Sequence, residues 1–288
     1  MSTSTAATTP GRPPTSPRRS GRAPVPPLPV PSRGVRHLRR GARALAWRNL
    51  VATVRQPQAL VFQLIQPVLF VLMFTYVFGG AIAVPGRSYV DFLLPGIFVQ
   101  TMVFGGITTA IALSADMSTG FLDRVRSLPV SRGAFLTGRV LADTVVNTAS
   151  IAVMAAVGLA VGFRPDAGIA GITGAFALLL ALGVAALWFF IYLGLSVKTA
   201  EAAQAVSSVV VFPLVFVSSV FVPTDSMPSW LRGFAEHQPI SVTAEALRAL
   251  LLGGDTGGAT GPVAQAAAWI AGITVVFAWL SVRRYRTT

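Results

Sequence analysis

The chain has 288 residues, of which 53% are hydrophobic and only 11% are charged, and it contains no cysteine. An ordinary soluble domain carries about 25% charged residues, so this composition leaves little room for a soluble fold. The lack of cysteine excludes disulfide frameworks, cysteine-based zinc sites and thiol catalysis. The net charge is +13, but 11 of the 23 basic residues precede residue 56, a clustering that does not suit a nucleic-acid-binding protein.

Residues 1–35 form a tail that combines nine of the 20 prolines with five arginines. A segment of this composition buries too little apolar surface to offset the entropy lost on ordering, so we expect it to be disordered. It has no apolar run long enough for a cleavable signal peptide, and the tail is therefore predicted to stay in the cytoplasm.

Residues 36–56 are predicted to form a basic helix that lies on the membrane surface. An apolar stripe at helical spacing is flanked by arginines, so that tryptophan would lie at headgroup level and arginine would face anionic lipid. The alternative is a simple positively charged anchor before the first span. The stripe is Trp47, Leu50 and Val51, and the arginines beside it are Arg48 and Arg55.

Six uncharged intervals follow, and each can hold a helix of about 20 residues across about 30 Å of hydrocarbon. Pro67 and Pro213 fall inside predicted spans, which membrane helices tolerate where neighbours satisfy the freed carbonyl group. The sequence therefore predicts an all-α, polytopic membrane domain over residues 57–288. The six spans are placed near 60–81, 93–113, 144–163, 171–196, 205–222 and 262–281.

The orientation of the spans follows from the arginine and lysine residues between them. With the N-terminus inside, the cytoplasmic segments hold 19 basic residues and the outer segments hold four. Because basic residues favour the cytoplasmic side, both termini are predicted to be cytoplasmic.

The segment 120–129, between the second and third predicted spans, is expected to form a short cytosolic helix. Phe121, Val125 and Leu128 share one edge, Asp123 and Arg124 lie on other faces, and Pro129 ends the helix. An exposed apolar edge on a short helix needs a partner. That edge either packs on the spans of the same chain or docks on another protein.

The outer segment 225–255 is too polar to span and too apolar to be an ordinary loop. It contains two short helices, and about 13 residues with two charges cannot cross a bilayer. We expect a re-entrant hairpin that packs against the fifth and sixth spans. It is either an exit gate or only a cap on the bundle. The candidate gate residues are Trp230, Leu231, Phe234 and Leu250.

The chain lacks the residues of an enzyme or of an ion-coupled carrier. The phosphate-binding pattern G-x-x-x-x-G-K-[ST] requires glycine before lysine, but the only lysine is Lys198 and Val197 precedes it. No nucleotide site and no metal site is therefore expected on this chain. The predicted spans have no charged residue at mid-depth, which argues against a secondary transporter.

The cytoplasmic run Gly120-Phe-Leu-Asp-Arg-Val-Arg-Ser-Leu-Pro-Val-Ser-Arg132, followed by Gly138-Arg139, resembles the signature of type 2 ABC exporter permeases. The drug-resistance branch, typified by daunorubicin and doxorubicin exporters, is the most similar. Arg48-Asn49-Leu50 and the stretch from Pro223 to Leu231 agree with it. The resemblance extends over residues 45–286.

The resemblance implies a permease subunit of an ATP-driven exporter in the plasma membrane, with an amphiphilic drug-, lipid- or polyketide-like cargo. A separate cytosolic ABC ATPase would bind ATP and magnesium, and a second permease copy, identical or related, would complete the unit. The ATPase-coupling residues would be Gly120, Phe121, Asp123, Arg124, Val125, Leu128, Pro129 and Arg132.

Spans one and five are candidates for the path between the two permeases. The candidate residues are Gln63, Gln66, Phe70, Phe74, Phe212 and Phe216. Ordinary packing is the alternative for each aromatic side chain. Two other functions remain open, a lipid or glycan exporter permease and a membrane anchor that only holds a cytosolic partner.

Overall fold

The computed structural model describes residues 47, 48, 50, 51, 57–79, 88–120, 132–253 and 256–287. In these ranges the chain is all helical, with eight α-helices and no strand. All of them belong to the compact unit Ser32–Thr288. The helices are α1 Pro57–Met73, α2 Tyr89–Ser118, α3 Arg132–Val161, α4 Ile169–Ser196, α5 Ala200–Phe216, α6 Ser229–His237, α7 Pro239–Leu251 and α8 Thr256–Thr287.

Four helices are long and apolar enough to cross a membrane: Tyr89–Ser118, Phe135–Val161, Ile169–Ser196 and Thr260–Tyr285. Two shorter apolar helices, Ile65–Phe78 and Ala200–Phe216, accompany them. The expectation of an all-α polytopic membrane protein is thereby confirmed, and each of the six predicted spans falls on an apolar helix. That the two shorter helices also cross remains a prediction.

Several helix ends lie a few residues from the predicted boundaries, and two differences have a clear physical reason. The third helix begins at Arg132 instead of residue 144, as expected for a span that extends beyond the membrane. The predicted end of the fifth span at residue 222 is wrong, because α5 ends at Phe216. Beyond that point the carbonyl groups of Ser219 and Val220 accept hydrogen bonds from the Arg248 side chain instead of from a following helical turn.

The segments predicted to lie outside meet at one end of the helix bundle. The Ala167 amide donates to the Leu251 carbonyl at 3.2 Å, and the Tyr89 hydroxyl donates to the Phe221 carbonyl at 2.9 Å. At the opposite end the Phe135 ring stacks on the ring of Tyr285, with centroids 5.9 Å apart. The starts of α2 and α4 and the end of α7 therefore lie at one end of the bundle.

The second helix lies at the centre of the bundle, packed against α4, α5 and α7. Glycines permit its closest approaches: a Cβ atom at Gly96 would lie 2.6 Å from the Val220 carbonyl oxygen, and one at Gly194 would lie 2.8 Å from that of Ala110. Small residues at such crossings are the usual means of close packing between membrane helices. They bring α2 against the segment that follows α5, where the candidate site lies.

Candidate functional site

A cavity of about 420 Å³ lies between α1, α2 and α5. Its volume is within the range of small-molecule sites. Among the described residues, none that lines the cavity carries an ionisable side chain, and the surface combines amides, hydroxyls and apolar groups. The lining residues are Gln66, Pro67, Gln100, Thr101, Phe104, Gly105, Ile107, Thr108, Ile111, Gln204, Ser208 and Phe212.

Gln100 gives the cavity an unused hydrogen-bond acceptor. The residue is 2% exposed, and its side-chain carbonyl oxygen has no hydrogen-bond partner among the described residues. An unsatisfied buried polar atom costs about 1–3 kcal/mol, so such atoms in native proteins usually serve a purpose. Since Gln100 lines the cavity, a ligand or water with a donor group can satisfy it there.

Six phenylalanines form a continuous group beside this cavity, here called the aromatic cluster: Phe70, Phe74, Phe78, Phe212, Phe216 and Phe221. The ring centroids of Phe74 and Phe221 are 4.4 Å apart, and those of Phe216 and Phe221 are 5.3 Å apart. Phe212 joins the cluster to the cavity, because it lines the cavity and stacks on Phe216 at 5.8 Å. The cluster thus continues from the cavity toward the end of the bundle where α7 lies.

The linker, residues 217–223, connects α5 to the 3₁₀ turn before α6 and carries Phe221. Side chains from the start of α7 hold it. The Gln238 amide nitrogen donates to the carbonyls of Leu214 at 2.7 Å and Val217 at 2.8 Å. The Ser219 amide donates to the Ser241 hydroxyl at 3.0 Å.

Arg248 of α7 is the most deeply embedded charge at this end of the bundle. Its Nε donates to the Phe92 carbonyl at 2.9 Å and its Nη2 to the Ser219 carbonyl at 2.7 Å. Glu245 accepts from Nη1 at 2.7 Å, and the guanidinium carbon lies 3.7 Å from the Phe92 ring centroid. A charge that is 8% exposed is tolerated only with such a full set of partners.

The outer hairpin, α6 and α7, packs through its second helix. α7 contacts α2, α4 and α8, whereas Trp230 and Phe234 of α6 are 79% and 53% exposed. The expectation that the hairpin packs against the fifth and sixth spans is correct for the sixth, which is α8. It is also correct for the fifth, predicted at 205–222, because Gln238, Ser241 and Arg248 form hydrogen bonds with residues 214–220. Leu231 and Leu250 are half-buried.

Arg232 of α6 is exposed and paired on both sides. It lies 2.6 Å from Glu236 and 2.5 Å from Asp225. The hydrogen bond to Glu236, with the charge of Asp225, raises the pKa of Arg232. Arg232 therefore contrasts with Arg248 on the same hairpin, since its partners are surface carboxylates and not backbone carbonyls of the linker.

A charge cluster lies at the opposite end of the bundle. Arg48 and Arg139 each lie 3.8 Å from the Asp116 carboxylate. Arg139 also pairs with Asp143 at 2.9 Å, and Asp143 accepts a hydrogen bond from Thr109 at 2.7 Å. These contacts connect Arg48 with α2 and α3, the two helices that flank the segment 121–131.

The predicted coupling residues fall mostly outside the described residues. Gly120 closes the turn after α2 with a φ of +66°, and Arg132 is the first residue of α3. Arg55 also lies outside the described residues. Trp47 is 69% exposed; Leu50 and Val51 are half-buried. The remaining coupling residues, also outside them, are Phe121, Asp123, Arg124, Val125, Leu128 and Pro129.

The structure brings the predicted path residues together. Gln66 and Phe212 line the cavity, and Phe70, Phe74 and Phe216 belong to the aromatic cluster. The side chain of Gln63 lies outside the described residues.

Sequence reasoning missed the polar residues on the facing helices. On α5 the spacing of Gln204, Ser208 and Phe212 at i, i+4 and i+8 was a readable signal, because it places all three on one face. On α2, Gln100, Phe104 and Thr108 have the same spacing and give the same signal.

Apolar helices long enough to cross a membrane, packed around an uncharged polar cavity, are the features of a polytopic membrane protein. The chain matches the ABC-2 type transporter family over residues 40–252. It is 36% identical over 240 residues to the daunorubicin resistance ABC transporter permease protein DrrB1 of Streptomyces coeruleorubidus, which covers 83% of this chain and 84% of the relative.

Two more distant relatives agree. The chain is 28% identical over 232 residues to a probable doxorubicin resistance ABC transporter permease protein, DrrC, of Mycobacterium tuberculosis, covering 80% of this chain and 83% of that protein. It is 29% identical over 211 residues to the putative transport permease ycf38 of Cyanophora paradoxa, covering 72% of each. The chain belongs to the ABC-2 type transporter family, as the sequence resemblance indicated, and is the membrane permease subunit of an ABC transporter. Permeases of this family are transmembrane subunits, not themselves enzymes, that work with a cytosolic ABC ATPase.

Proposed function

We propose that this permease exports an amphiphilic, drug-like cargo across the plasma membrane. The observation that carries this proposal is the uncharged polar cavity between α1, α2 and α5 with the aromatic cluster beside it. Amides and hydroxyls can bind the polar edge of a cargo, and phenylalanine rings favour planar apolar groups. The names of two relatives, which refer to daunorubicin and doxorubicin resistance, support a cargo of this kind.

The proposed topology has six spans, with both termini in the cytoplasm. The 19-to-4 distribution of basic residues carries the orientation. The fifth span is short as a helix. The 17 residues of α5 give about 25 Å of helix, which is less than the roughly 30 Å of a typical hydrocarbon core. The linker supplies the remaining depth, since non-helical backbone is tolerated there when protein groups such as Gln238 and Arg248 bind its carbonyls.

The energy for export comes from a separate ATPase subunit that binds ATP and magnesium. The cavity offers no ionisable group for coupling to protons, and the sequence carries no phosphate-binding loop. The segment 120–129 is the proposed docking helix for that ATPase. The charge cluster of Asp116, Arg139 and Asp143 joins the two helices that leave this segment, so that movement there reaches α2 and α3. A second permease copy covers the half-exposed faces of Phe212 and Phe216.

Co-purification tests this assignment. The tagged chain, expressed with a candidate ABC ATPase of the same organism, should retain that ATPase in equal amount in lipid nanodiscs, and the complex should hydrolyse ATP. A tagged membrane protein of unrelated fold provides the control for non-specific retention. Recovery of the chain without any ATPase, from cells that contain both, would contradict the proposal.

A further inference from the structure

We propose that the outer hairpin is not the exit gate but the device that positions it. Gln238 and Arg248 hold the linker in place, so that Phe216 and Phe221 close the outer end of the cavity. This inference rests on the proposed transport function and orientation.

Side chains bind the backbone carbonyl groups at the end of α5 and in the linker. The carbonyl groups near the end of a helix lack helical partners, and those of the linker lack them as well because the linker is not helical. Gln238 supplies donors for two carbonyls, those of Leu214 and Val217. Arg248 supplies donors for two more, those of Ser219 and Val220. The path of the linker is therefore set by side chains of α7.

The linker carries one ring of the aromatic cluster, that of Phe221. Phe221 is 4% exposed, and its ring packs on three others: Phe74 at 4.4 Å, Phe216 at 5.3 Å and Phe70 at 5.7 Å. It is the only member of the aromatic cluster that lies on the linker. The other members lie on α1, on α5 or on the π-helical turn Phe74–Phe78 that follows α1. If the linker moves, Phe221 leaves the stack and the cluster opens above the cavity.

α7 and the linker differ in how rigidly they are held. α7 is a packed helix whose residues Ala244, Ala246 and Leu247 are completely buried, so its donors are fixed in position. The linker is bound to it by polar contacts, which water can replace together when the gate opens. In the proposed gate these contacts are made in the closed state and are absent in the open state.

Cysteine accessibility tests this inference, since the chain has no native cysteine. Ser208→Cys places a thiol in the cavity, and a membrane-impermeant maleimide is applied from outside to right-side-out vesicles without ATP. Labelling should be slow in this background. Adding Gln238→Leu, which keeps the size but loses both donors, should accelerate labelling per folded molecule by about tenfold, corresponding to about 1.4 kcal/mol.

Arginine variants provide the matched comparison. Arg248→Lys keeps the charge but cannot reach the Phe92 and Ser219 carbonyls together, so its labelling rate should lie between those of Ser208→Cys alone and Gln238→Leu. Arg232→Lys, on the same hairpin but without contact to the linker, should leave the rate unchanged.

Topology controls separate failure of this inference from failure of the proposed orientation. Ser88→Cys and Ala167→Cys should react from outside, and Ser118→Cys should not; the opposite result would overturn the orientation. With these controls in order, an unchanged Ser208→Cys rate per folded molecule in Gln238→Leu would overturn the gate-positioning role. Lower thermal stability without faster labelling would assign the hairpin to capping alone.

Discussion

Phe121→Ala and Asp123→Ala should each abolish ATP-driven export while leaving the permease in the membrane at normal abundance. Phe121 contributes the apolar edge of the predicted docking helix, and Asp123 contributes its charged flank. Truncating an anchor residue at a protein interface costs about 2–4 kcal/mol, which corresponds to a loss of roughly 30- to 1,000-fold in affinity for the ATPase. Binding of the purified ATPase to permease in nanodiscs measures this loss.

Pro129→Ala is the matched variant in the same segment. It lengthens the helix without removing a contact, so ATPase affinity should change far less than in the other two variants. If Phe121→Ala and Asp123→Ala both export cargo and retain the ATPase as the unmodified chain does, the segment 120–129 is not the docking site. The charge cluster around Asp116 would then not transmit movement of a docked ATPase to α2 and α3.

Gln100→Leu should weaken the binding of cargo by about tenfold or more when the cargo presents a hydroxyl or amine to the cavity. The substitution preserves side-chain size but removes the acceptor that has no partner among the described residues, and a hydrogen bond to a buried group is worth about 1–3 kcal/mol. Because the variant no longer buries an unsatisfied oxygen, its thermal stability should be equal or higher. Ligand titration and thermal unfolding in nanodiscs measure the two effects.

Gln265→Leu is the control for this experiment. It makes the same chemical change at an exposed position of α8, away from the cavity. Equal cargo affinity in Gln100→Leu and Gln265→Leu would show that the cavity is not where the cargo binds. A cargo analogue without donor groups should bind both variants alike, which isolates the contribution of the hydrogen bond.

The helical framework was predictable because a bilayer excludes charge. The intervals free of ionised side chains therefore correspond to the apolar helices, within a few residues at most ends. The end of α5 was not predictable in this way, because it depends on Arg248, which lies 29 residues from Ser219 in sequence. Local patterns carry no information on such a contact.

The hairpin shows the same limit. The sequence gives both short helices an apolar side, yet only α7 is buried against the bundle, and Trp230 of α6 is exposed. The i, i+3 spacing of Glu245 and Arg248 indicates only that the two side chains can pair on one face of a helix. The structure shows that the guanidinium also turns inward to Phe92 and the linker. Which of two amphipathic helices packs inward is decided by tertiary partners and not by periodicity.

The central claim is that this chain moves an amphiphile with energy from a separate ATPase. Uptake into inside-out vesicles tests it most directly, with a fluorescent planar aromatic amphiphile as the probe. Accumulation should require this chain, the ATPase, magnesium and hydrolysable ATP together, and it should persist when the proton gradient is dissipated. Accumulation that a proton gradient drives without the ATPase, or that proceeds equally without this chain, would contradict the account.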